Sequence, residues 1–337
     1  AFAIILNMLT NKHVNKIFLS FALGAFLLSS CGKPSDTSSP VDTSSDTSSE
    51  ISSDTSDNIS SDTSNNTASD TSNDTSSDTS SGTSNSSSSS DNHYDMPSEY
   101  ASYYSSLGSN PTSSQLKSIV SSHTKLSYDG ARSAMVKTDR DWTLSPNNSD
   151  SNPYMRLIYA AYNFKTSSAA RFNDNNTIWD REHIWAKSHG GFDNNATPGS
   201  DLHHLRASDK PNNNSWRNSR NFGNATSGQY GKDYRGLNSG KYSGGSLDGI
   251  YEPLDHDKGD VARACFYMAV VYNTNCTLVN SYPGTGKTLG HLSTLLQWHE
   301  LDPVDEFEMN RNNLIYDNYQ HNRNPFIDHP EWAHSIF

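Results

Sequence analysis

The alternation of apolar and polar positions divides the chain into three parts. A largely apolar run from Ile17 to Leu28 lies near the amino terminus. Residues 34–93 then contain almost no apolar side chains, and beyond them apolar positions recur at helical or strand-like spacing. Because only this third part can bury a core, the pattern predicts one folded domain over residues 94–337.

Five stretches of the folded part are predicted to be helices, and in one of them apolar residues recur three and four positions apart, which is the spacing of one helix face. That stretch contains Val261, Cys265, Met268 and Tyr272, which share one face of a predicted packing helix. The predicted helices cover residues 113–120, 128–137, 260–272, 289–300 and 304–319.

Three shorter segments are predicted to be extended. Residues 155–162 have the apolar and aromatic content of a buried strand, 177–186 is rich in aromatic side chains, and 202–206 is a short candidate. The predicted class is therefore α+β, in which a mostly helical single domain contains a few short strands.

The last two predicted strands belong to a local order of strand, loop, strand and short helix. The loop, 190–200, consists largely of Gly, Asp, Asn and Pro. Ser208 or Asp209 is a plausible N-cap, and Pro211 is tolerated in the first turn of a helix. A short polar helix is therefore predicted over residues 210–217.

The amino-terminal segment 1–31 has the features of a secretory signal peptide. Lys12 and Lys16 precede the apolar run, which is shorter than the roughly 20 residues of a membrane-spanning helix. The run ends in Leu-Ser-Ser-Cys, which resembles the lipobox of bacterial lipoproteins. Either Cys31 is incidental or it carries a lipid after cleavage, and its position directly after the apolar run favours a lipid-anchored protein at the cell surface.

The second part, 32–93, is built from variants of Asp-Thr-Ser-Ser and is predicted to be a disordered tether. Within it, residues 34–93 carry eleven acidic residues and no Lys or Arg, and these account for most of the formal net charge of −12. The remaining 94–337 has a net charge of only −4. The folded part therefore lacks the strongly basic balance of a protein that coats DNA, although a nuclease must also release its product.

Two cysteines remain in the folded part, Cys265 and Cys276. An exported protein meets an oxidising environment, so that a disulfide bond between them is conceivable. Cys265 lies within a predicted helix among apolar neighbours, which favours buried free thiols instead.

Three segments concentrate polar and aromatic residues: 180–185 (Asp-Arg-Glu-His-Ile-Trp), 201–205 (Asp-Leu-His-His-Leu) and 213–217 (Asn-Asn-Ser-Trp-Arg). Hydrolysis of a phosphodiester needs a base to deprotonate water and a cation to stabilise the negative phosphorus and the leaving oxygen. His183 suits the first task near neutral pH. A carboxylate and an amide oxygen, from Glu182 and Asn214, suffice for a Mg²⁺ ion that keeps most of its waters.

These segments together resemble the endonuclease I family of bacterial secreted nucleases, which belong to the His-Me finger group. The family has Glu-His on a first strand, then a (Gly/Ser/Thr)-Asp-Leu-His-(Asn/His)-Leu element and then Asn-x-x-Arg. Segments 200–205 and 214–217 fit the second and third elements. The runs 258–263 and 322–330 are also similar, so that the resemblance covers residues 120–337.

The resemblance implies a His-Me finger (ββα-metal) core with His183 as general base and with Glu182 and Asn214 as ligands of Mg²⁺, or of Mn²⁺ or Ca²⁺. It also implies cleavage of DNA and RNA with 5′-phosphate products. No protein partner is inferred. Within the Asn run, Asn213 and Asn212 are alternatives to Asn214, although Arg217 three residues later favours Asn214.

Glu182 and His183 are adjacent, and on a regular strand adjacent side chains point to opposite faces. If both serve one site, the strand must end, twist or bulge there, so that irregular backbone is predicted.

Four further residues are weaker candidates. Asp201 and His203 are expected to brace the site by hydrogen bonds rather than to touch substrate. Arg217 and Arg323 are candidates for phosphate contacts, but an arginine serves equally often as a structural clamp.

Two other functions remain open: a tethered surface protein whose nuclease site has degenerated, and a metal-dependent phosphodiesterase of small substrates. The intact Glu182, His183 and Asn214 argue against the first. A zinc site is disfavoured, because the sequence contains no His-Glu-x-x-His spacing and no cysteine pair near these histidines.

Overall fold

The computed structural model describes residues 94–161, 170–284 and 286–337. The predicted signal peptide (1–31) with Cys31 and the predicted tether (32–93) lie outside the described residues. The α-helices are α1 (Ser113–Val120), α2 (Tyr128–Thr138), α3 (Lys187–Gly190), α4 (Lys258–Val271), α5 (Leu292–Leu301), α6 (Glu306–Asn318), α7 (Pro325–Asp328) and α8 (Ala333–Ile336). The strands are β1 (Trp179–His183), β2 (Leu205–Asp209), β3 (Asn221–Phe222), β4 (Gln229–Lys232), β5 (Asn238–Ser243), β6 (Ile250–Glu252), β7 (Thr277–Val279) and β8 (Thr288–Gly290).

The described residues also form short 3-10 helices and one π-helix. The 3-10 helices are Ser98–Tyr104, Phe172–Asp174, Thr197–Ser200, Asp255–Asp257 and Pro330–Trp332. The π-helix covers Asn212–Arg217 and follows β2 directly.

The described strands form three small sheets. Strands β1 and β2 pair antiparallel, from Trp179 opposite Asp209 to His183 opposite Leu205. A four-stranded sheet has the order β3-β6-β5-β4, and β7 and β8 form a parallel pair. The first hairpin carries two of the predicted site residues, and the π-helix that follows it carries the third.

Side-chain caps fix where the main helices begin. Thr112 and Gln115 form a capping box at the start of α1. The hydroxyl of Ser127 accepts a 3.0 Å hydrogen bond from the Gly130 amide at the start of α2. Asp305 accepts a 2.8 Å bond from the Glu308 amide at the start of α6. These caps satisfy amides that have no partner within the helix.

Two hydrophobic clusters form the main core. The larger one surrounds α4 and includes Trp185 and Phe222. The second lies under α2 and the first hairpin and includes Trp179 and Leu205. Since β1 contributes Trp179 to one cluster and leads into Trp185 of the other, the end of β1 is anchored from both sides.

The predicted helices are confirmed, with shifts of a few residues at their ends. The helix α4 is buried along its whole length, rather than on one face as its pattern predicts. It packs against α5 and lies within the larger cluster, so that its polar residues must find buried partners. In the described part of the chain, no helix is long and apolar enough to cross a membrane.

The prediction of a strand over residues 155–162 is wrong for its described part. Met155 and Ile158 form only isolated bridges, with Arg140 and Ser208. Tyr159 has a φ of 71°, which interrupts an extended strand, and its amide donates to Asp257 instead of a neighbouring strand. Local apolar content therefore indicated burial correctly but not strand geometry.

The predicted strand over residues 202–206 begins and ends three residues earlier than β2 does. Leu202 and His203 lie in a turn, and the strand begins at Leu205. The predicted short helix over 210–217 exists as the π-helix. The four-stranded sheet that covers residues 221–252 was not predicted, because its strands are short and rich in Gly and polar residues.

Cys265 and Cys276 are both buried and both free. Of the two alternatives that the sequence leaves open, the structure has the free thiols. Burial raises the pKa of both, which keeps the thiols protonated and unreactive.

Candidate active site

A cleft of about 470 Å³ lies at the end of the first hairpin. It brings together Glu182, His183 and Asn214, three residues that the sequence nominated as base and metal ligands. The other residues along its wall are Tyr128, Asn176, Asp180, Arg181, Ala186, Lys187, Ser188, Asn213, Asn218 and Ser219. The cleft is thus polar and contains both acidic and basic side chains.

Glu182 and His183 reach the same cleft although they are adjacent on β1. Their pairing with Arg206 and Leu205 on β2 is in register. The strand then ends at His183, and the chain bends at Ile184 and Trp185. The end of the strand, rather than a bulge, therefore lets two neighbouring side chains serve one site.

His183 is almost fully buried, and its Nε2 lies 2.9 Å from the carbonyl oxygen of Gly199. Because a carbonyl oxygen can only accept, Nε2 carries the hydrogen and Nδ1 retains its lone pair. Burial, with the nearby His204 as a second cause, lowers the pKa of His183 to about 3. The imidazole is therefore neutral at neutral pH and presents Nδ1 as a proton acceptor.

An aromatic ring fixes the plane of that imidazole. Tyr128 stacks on His183 with 5.8 Å between ring centroids and 7° between planes. The guanidinium carbon of Arg181 lies 3.6 Å from the centroid of the same Tyr128 ring. Tyr128 and Arg181 were not nominated as site residues, and nothing in the local sequence around Tyr128 indicates this contact.

Glu182 is a buried carboxylate, and its neighbours offset only part of the cost of removing its charge from water. Its Oε1 accepts a 3.1 Å hydrogen bond from the hydroxyl of Tyr159 and lies 3.6 Å from Nε of Arg217. Burial nevertheless raises the pKa of Glu182 to about 7, because Arg217 and Tyr159 offset only part of the desolvation. A cation bound in the cleft would complete the compensation.

The π-helix places the three asparagines of the run in different surroundings. Asn212 is fully buried, and its Oδ1 accepts from Ser239 at 2.7 Å. Asn213 donates to the Arg181 carbonyl at 3.2 Å, and the exposed Asn214 donates from Nδ2 to Asp180 at 3.1 Å. The hydrogen bond from Asn214 to Asp180 uses only the amide nitrogen of Asn214, which leaves its Oδ1 for a cation. Asn212 is excluded, whereas both later asparagines lie along the cleft.

These residues fit a hard cation that retains water. A carboxylate and an amide oxygen are ligand types that Mg²⁺ accepts. In the described ranges, no group of three or more His, Cys, Asp or Glu residues could hold a metal ion. The ligand atoms that Glu182 and Asn214 offer are oxygens, whereas zinc sites are built mainly from nitrogen and sulfur ligands.

Asp201 and His203 lie in the buried interior and do not line the cleft. Asp201 accepts hydrogen bonds from Tyr267 at 2.9 Å, Tyr272 at 2.7 Å and Gln320 at 2.9 Å. Although burial opposes it, the nearby His123 and His203, together with these hydrogen bonds, hold the pKa of Asp201 well below its usual range. His203 packs on Tyr267 with 4.5 Å between ring centroids, and burial lowers its pKa to about 4. Both residues tie β2 to the carboxyl-terminal helices.

Arg217 is a buried clamp and has no access to substrate. Its guanidinium donates to the carbonyl oxygens of Ile184, at 2.9 Å, and of Arg220, and stacks over Phe222 at 4.1 Å. It thereby joins the π-helix to the end of β1 and places a positive charge beneath Glu182.

Arg323 is likewise a clamp, remote from the cleft lining. It forms two bonds with Asp328, at 2.7 and 2.6 Å, and a third with Asn313 at 2.8 Å. Both arginines are buried and neither lines the cleft, which favours the structural role among the two that the sequence left open.

Comparison with known proteins adds a family to this geometry. The sequence model of the Endonuclease I family matches residues 108–331. An extracellular ribonuclease of Bacillus amyloliquefaciens is 42% identical over 236 residues, which cover 66% of this chain and 73% of the relative. An extracellular ribonuclease of Bacillus subtilis (strain 168) is 42% identical over 235 residues, with the same coverage of both chains.

Proposed function

Because this chain belongs to the endonuclease I family and is a nuclease that hydrolyses phosphodiester bonds, we propose a finer assignment. The protein is a secreted, metal-dependent endonuclease that degrades RNA and DNA with little sequence preference and leaves 5′-phosphate ends. One observation carries this proposal: a neutral histidine and a pair of oxygen donors share one polar cleft.

A His-Me finger core is the structural basis of the proposal. Strands β1 and β2 form an antiparallel hairpin, and a short helix follows at once. The base and the carboxylate come from the first strand and the amide from the helix, which is the arrangement that the ββα-metal group uses. The contacts of Asn213 and Asn214 with Arg181 and Asp180 support the docking of this helix on β1.

His183 is the general base. The Gly199 carbonyl holds Nε2–H, and Nδ1 accepts the proton of a water molecule that attacks phosphorus. The low pKa keeps the ring in its base form throughout the neutral range. A bound phosphate favours the protonated ring, because an opposite charge nearby raises a histidine pKa, and this offsets part of the cost of proton uptake.

Glu182 and Asn214 hold the metal ion, which we assign as Mg²⁺, with Mn²⁺ or Ca²⁺ as alternatives. When bound, the ion supplies the positive charge that stabilises the crowded phosphorus and the leaving oxygen. Tyr159 orients the Glu182 carboxylate, and Arg217 keeps its charge tolerable in a buried setting.

Two arguments support the substrate range. The relatives from Bacillus are named ribonucleases, which supports RNA as a substrate. A base that activates water does not need the ribose 2′-hydroxyl, so the same residues also cleave DNA. Phosphate contacts without base-edge contacts give little sequence preference.

We also propose that the protein acts outside the cell, since the relatives are named extracellular. A lipid on Cys31 and a tether over residues 32–93 would keep the nuclease domain near the surface that secretes it. This part of the proposal rests on the sequence alone, because Cys31 lies outside the described residues.

The test uses the full chain with supercoiled plasmid and with RNA, each in Mg²⁺ and in EDTA. We expect nicking and degradation only with metal, and a loss of roughly 100- to 10,000-fold in His183→Ala. His334→Ala, which removes an exposed histidine outside the cleft, serves as the control and should retain activity. End analysis should find 5′-phosphates on both polymers.

Two outcomes would replace the proposal. Binding of nucleic acid without cleavage in any divalent metal would favour the tethered surface protein with a degenerate site. Faster turnover of a small chromogenic diester than of polymer would favour the small-substrate phosphodiesterase. Cyclic phosphate ends on RNA, together with intact DNA, would exclude water as the nucleophile.

A further inference from the structure

Two basic side chains of the cleft lie on either side of the base along the chain. Arg181 precedes His183 by two residues and therefore points to the same face of β1, roughly 7 Å away along the strand. Lys187 follows the bend after His183 and begins α3. The mechanism described above uses neither of them.

The guanidinium of Arg181 is held in place, yet most of its donors remain available. Its Nη1 donates to the Tyr128 carbonyl at 2.7 Å, and its plane lies on the Tyr128 ring. The side chain is only 14% exposed. An arginine has five N–H donors in a fixed fork, and a restrained fork suits a phosphate because little freedom is lost on binding.

The ion pair of Arg181 with Asp129 does not compete strongly with a substrate. Nη1 lies 3.3 Å from Oδ1 of Asp129, whose side chain is 92% exposed. Because the Asp129 carboxylate is almost fully solvated, it keeps its water contacts if Arg181 leaves it, so little is lost on exchange. A phosphate that enters the cleft can therefore replace Asp129 at small cost.

Lys187 is exposed, and its Nζ donates to Oδ1 of Asn194 at 2.9 Å. An ammonium has three donors, so that two remain for an anion. Of the acids of the cleft, Glu182 has Arg217 as its nearest cation, and Asp180 accepts a hydrogen bond from Asn214; neither is paired with Lys187 in the described part of the chain.

We propose that Arg181 and Lys187 bind the two phosphates that flank the scissile phosphate, one on each side. This inference rests on the proposed function and narrows it. A substrate must then carry charged linkages on both sides of the cleaved bond, which makes internal bonds of a polymer better substrates than terminal bonds or small diesters. The endonucleolytic preference resides in these two side chains rather than in His183.

The test compares two single-stranded DNA oligonucleotides in which uncharged methylphosphonates replace most linkages. In the first, one phosphodiester stands alone. In the second, the same phosphodiester has a charged phosphodiester on each side, and cleavage at the central bond is measured. The ratio of kcat/KM between the two reports the flanking contacts, because a general defect of folding or of metal binding lowers both values alike.

For the full chain we expect the flanked bond to be cleaved much faster than the isolated one. Arg181→Ala and Lys187→Ala should each reduce the ratio roughly tenfold. Lys117→Ala and Arg132→Ala are matched controls outside the cleft. Lys117 also binds one asparagine oxygen, of Asn273, and Arg132 also stacks on an aromatic ring, that of Phe172. Both controls should leave the ratio unchanged.

Binding in EDTA gives a readout that does not depend on cleavage. The logarithm of the affinity falls linearly as the logarithm of the salt concentration rises. Each lost phosphate contact should make this slope less steep by about 0.7. An unchanged ratio and an unchanged salt slope in both variants would overturn this inference while the nuclease function stands. Failure of the full chain to cleave either substrate in any divalent metal would refute the proposed function instead, and the salt slopes would still decide the phosphate contacts.

Discussion

The hydroxyl of Tyr159 lies 3.1 Å from Oε1 of Glu182 and donates a hydrogen bond to it. Tyr159 is fully buried, has a φ of 71° and packs against Tyr251 with 5.1 Å between ring centroids. A hydroxyl in this position holds one oxygen of the carboxylate in place. Because the carboxylate is planar, the position of its second oxygen is then restricted as well. In the proposed function, this hydrogen bond orients Glu182 before a cation binds.

Tyr159→Phe should weaken metal binding about tenfold, because the second shell of a metal site orients its ligands. The Mg²⁺ concentration for half-maximal cleavage should rise, while kcat at saturating metal should fall less. Tyr251→Phe is the control, since its hydroxyl contacts Asn212 at 3.3 Å and not Glu182. Equal metal dependence in Tyr159→Phe and the natural protein would show that this hydrogen bond does not act on the site.

Substitution of the three consecutive asparagines should give three different results. Asn214→Ala should raise the metal requirement roughly tenfold or more through loss of a ligand oxygen, and Asn214→Asp should retain most activity. Asn213→Ala should have a smaller effect, which metal titration of cleavage will show. Asn212→Ala should lower stability instead, because it leaves buried partners unpaired. A larger metal effect in Asn213→Ala would move the ligand assignment by one residue.

Arg217→Met should destabilise the protein by about 3 kcal/mol, because it leaves Glu182 without its buried positive neighbour. Urea unfolding, followed by tryptophan fluorescence, measures this loss. Arg132→Met, at a half-buried arginine outside the cleft, should cost much less. A variant as stable as the natural protein but with reduced affinity for nucleic acid would instead assign Arg217 to phosphate binding.

Stability should fall as the pH falls from about 6.5 to about 4, partly through His299. Burial, with Arg263 as a further cause, lowers the pKa of His299 to about 4. The unfolded state binds the proton first, so that this contribution is complete above pH 6.5 and is lost as the pH falls towards 4.

His299→Gln should reduce that acid-induced loss by up to about 3 kcal/mol. Urea unfolding at pH 7, 5.5 and 4.5 gives the comparison, and His334→Gln, at an exposed histidine, is the control. An identical pH dependence in His299→Gln would remove His299 from the explanation. His203, whose pKa burial also lowers to about 4, would then be the next buried histidine to substitute.

The hairpin and the π-helix bring together, in one cleft, site residues that lie about 30 positions apart in the sequence. β1 supplies Glu182 and His183, β2 returns the chain, and the π-helix brings Asn214 within 3.1 Å of Asp180. Arg217 fastens this helix to the Ile184 carbonyl from below. The Arg of the Asn-x-x-Arg element thus serves the site through the backbone and not through substrate.

The sequence by itself determined the helices, the α+β class, the family and the candidate base and ligands. Helical periodicity is a local property, and α1, α2 and α4 to α6 therefore follow from it. The order Glu182-His183, then Asp201, then Asn214 is also legible without a fold, because it reflects chemistry that requires particular residue types.

Only the tertiary structure decided how these residues act, since burial and long-range contacts are not written in local patterns. It buries Asn212 away from the cleft and gives Arg217 and Arg323 buried contacts within the protein. It also has a turn at Tyr159, where a strand was predicted over 155–162, and the Tyr159 hydroxyl there donates to Glu182. It also joined Tyr128 to His183, although 55 residues separate them in the sequence. The protonation states of Glu182 and His183 depend on their burial, which arises only when distant segments of the chain pack together.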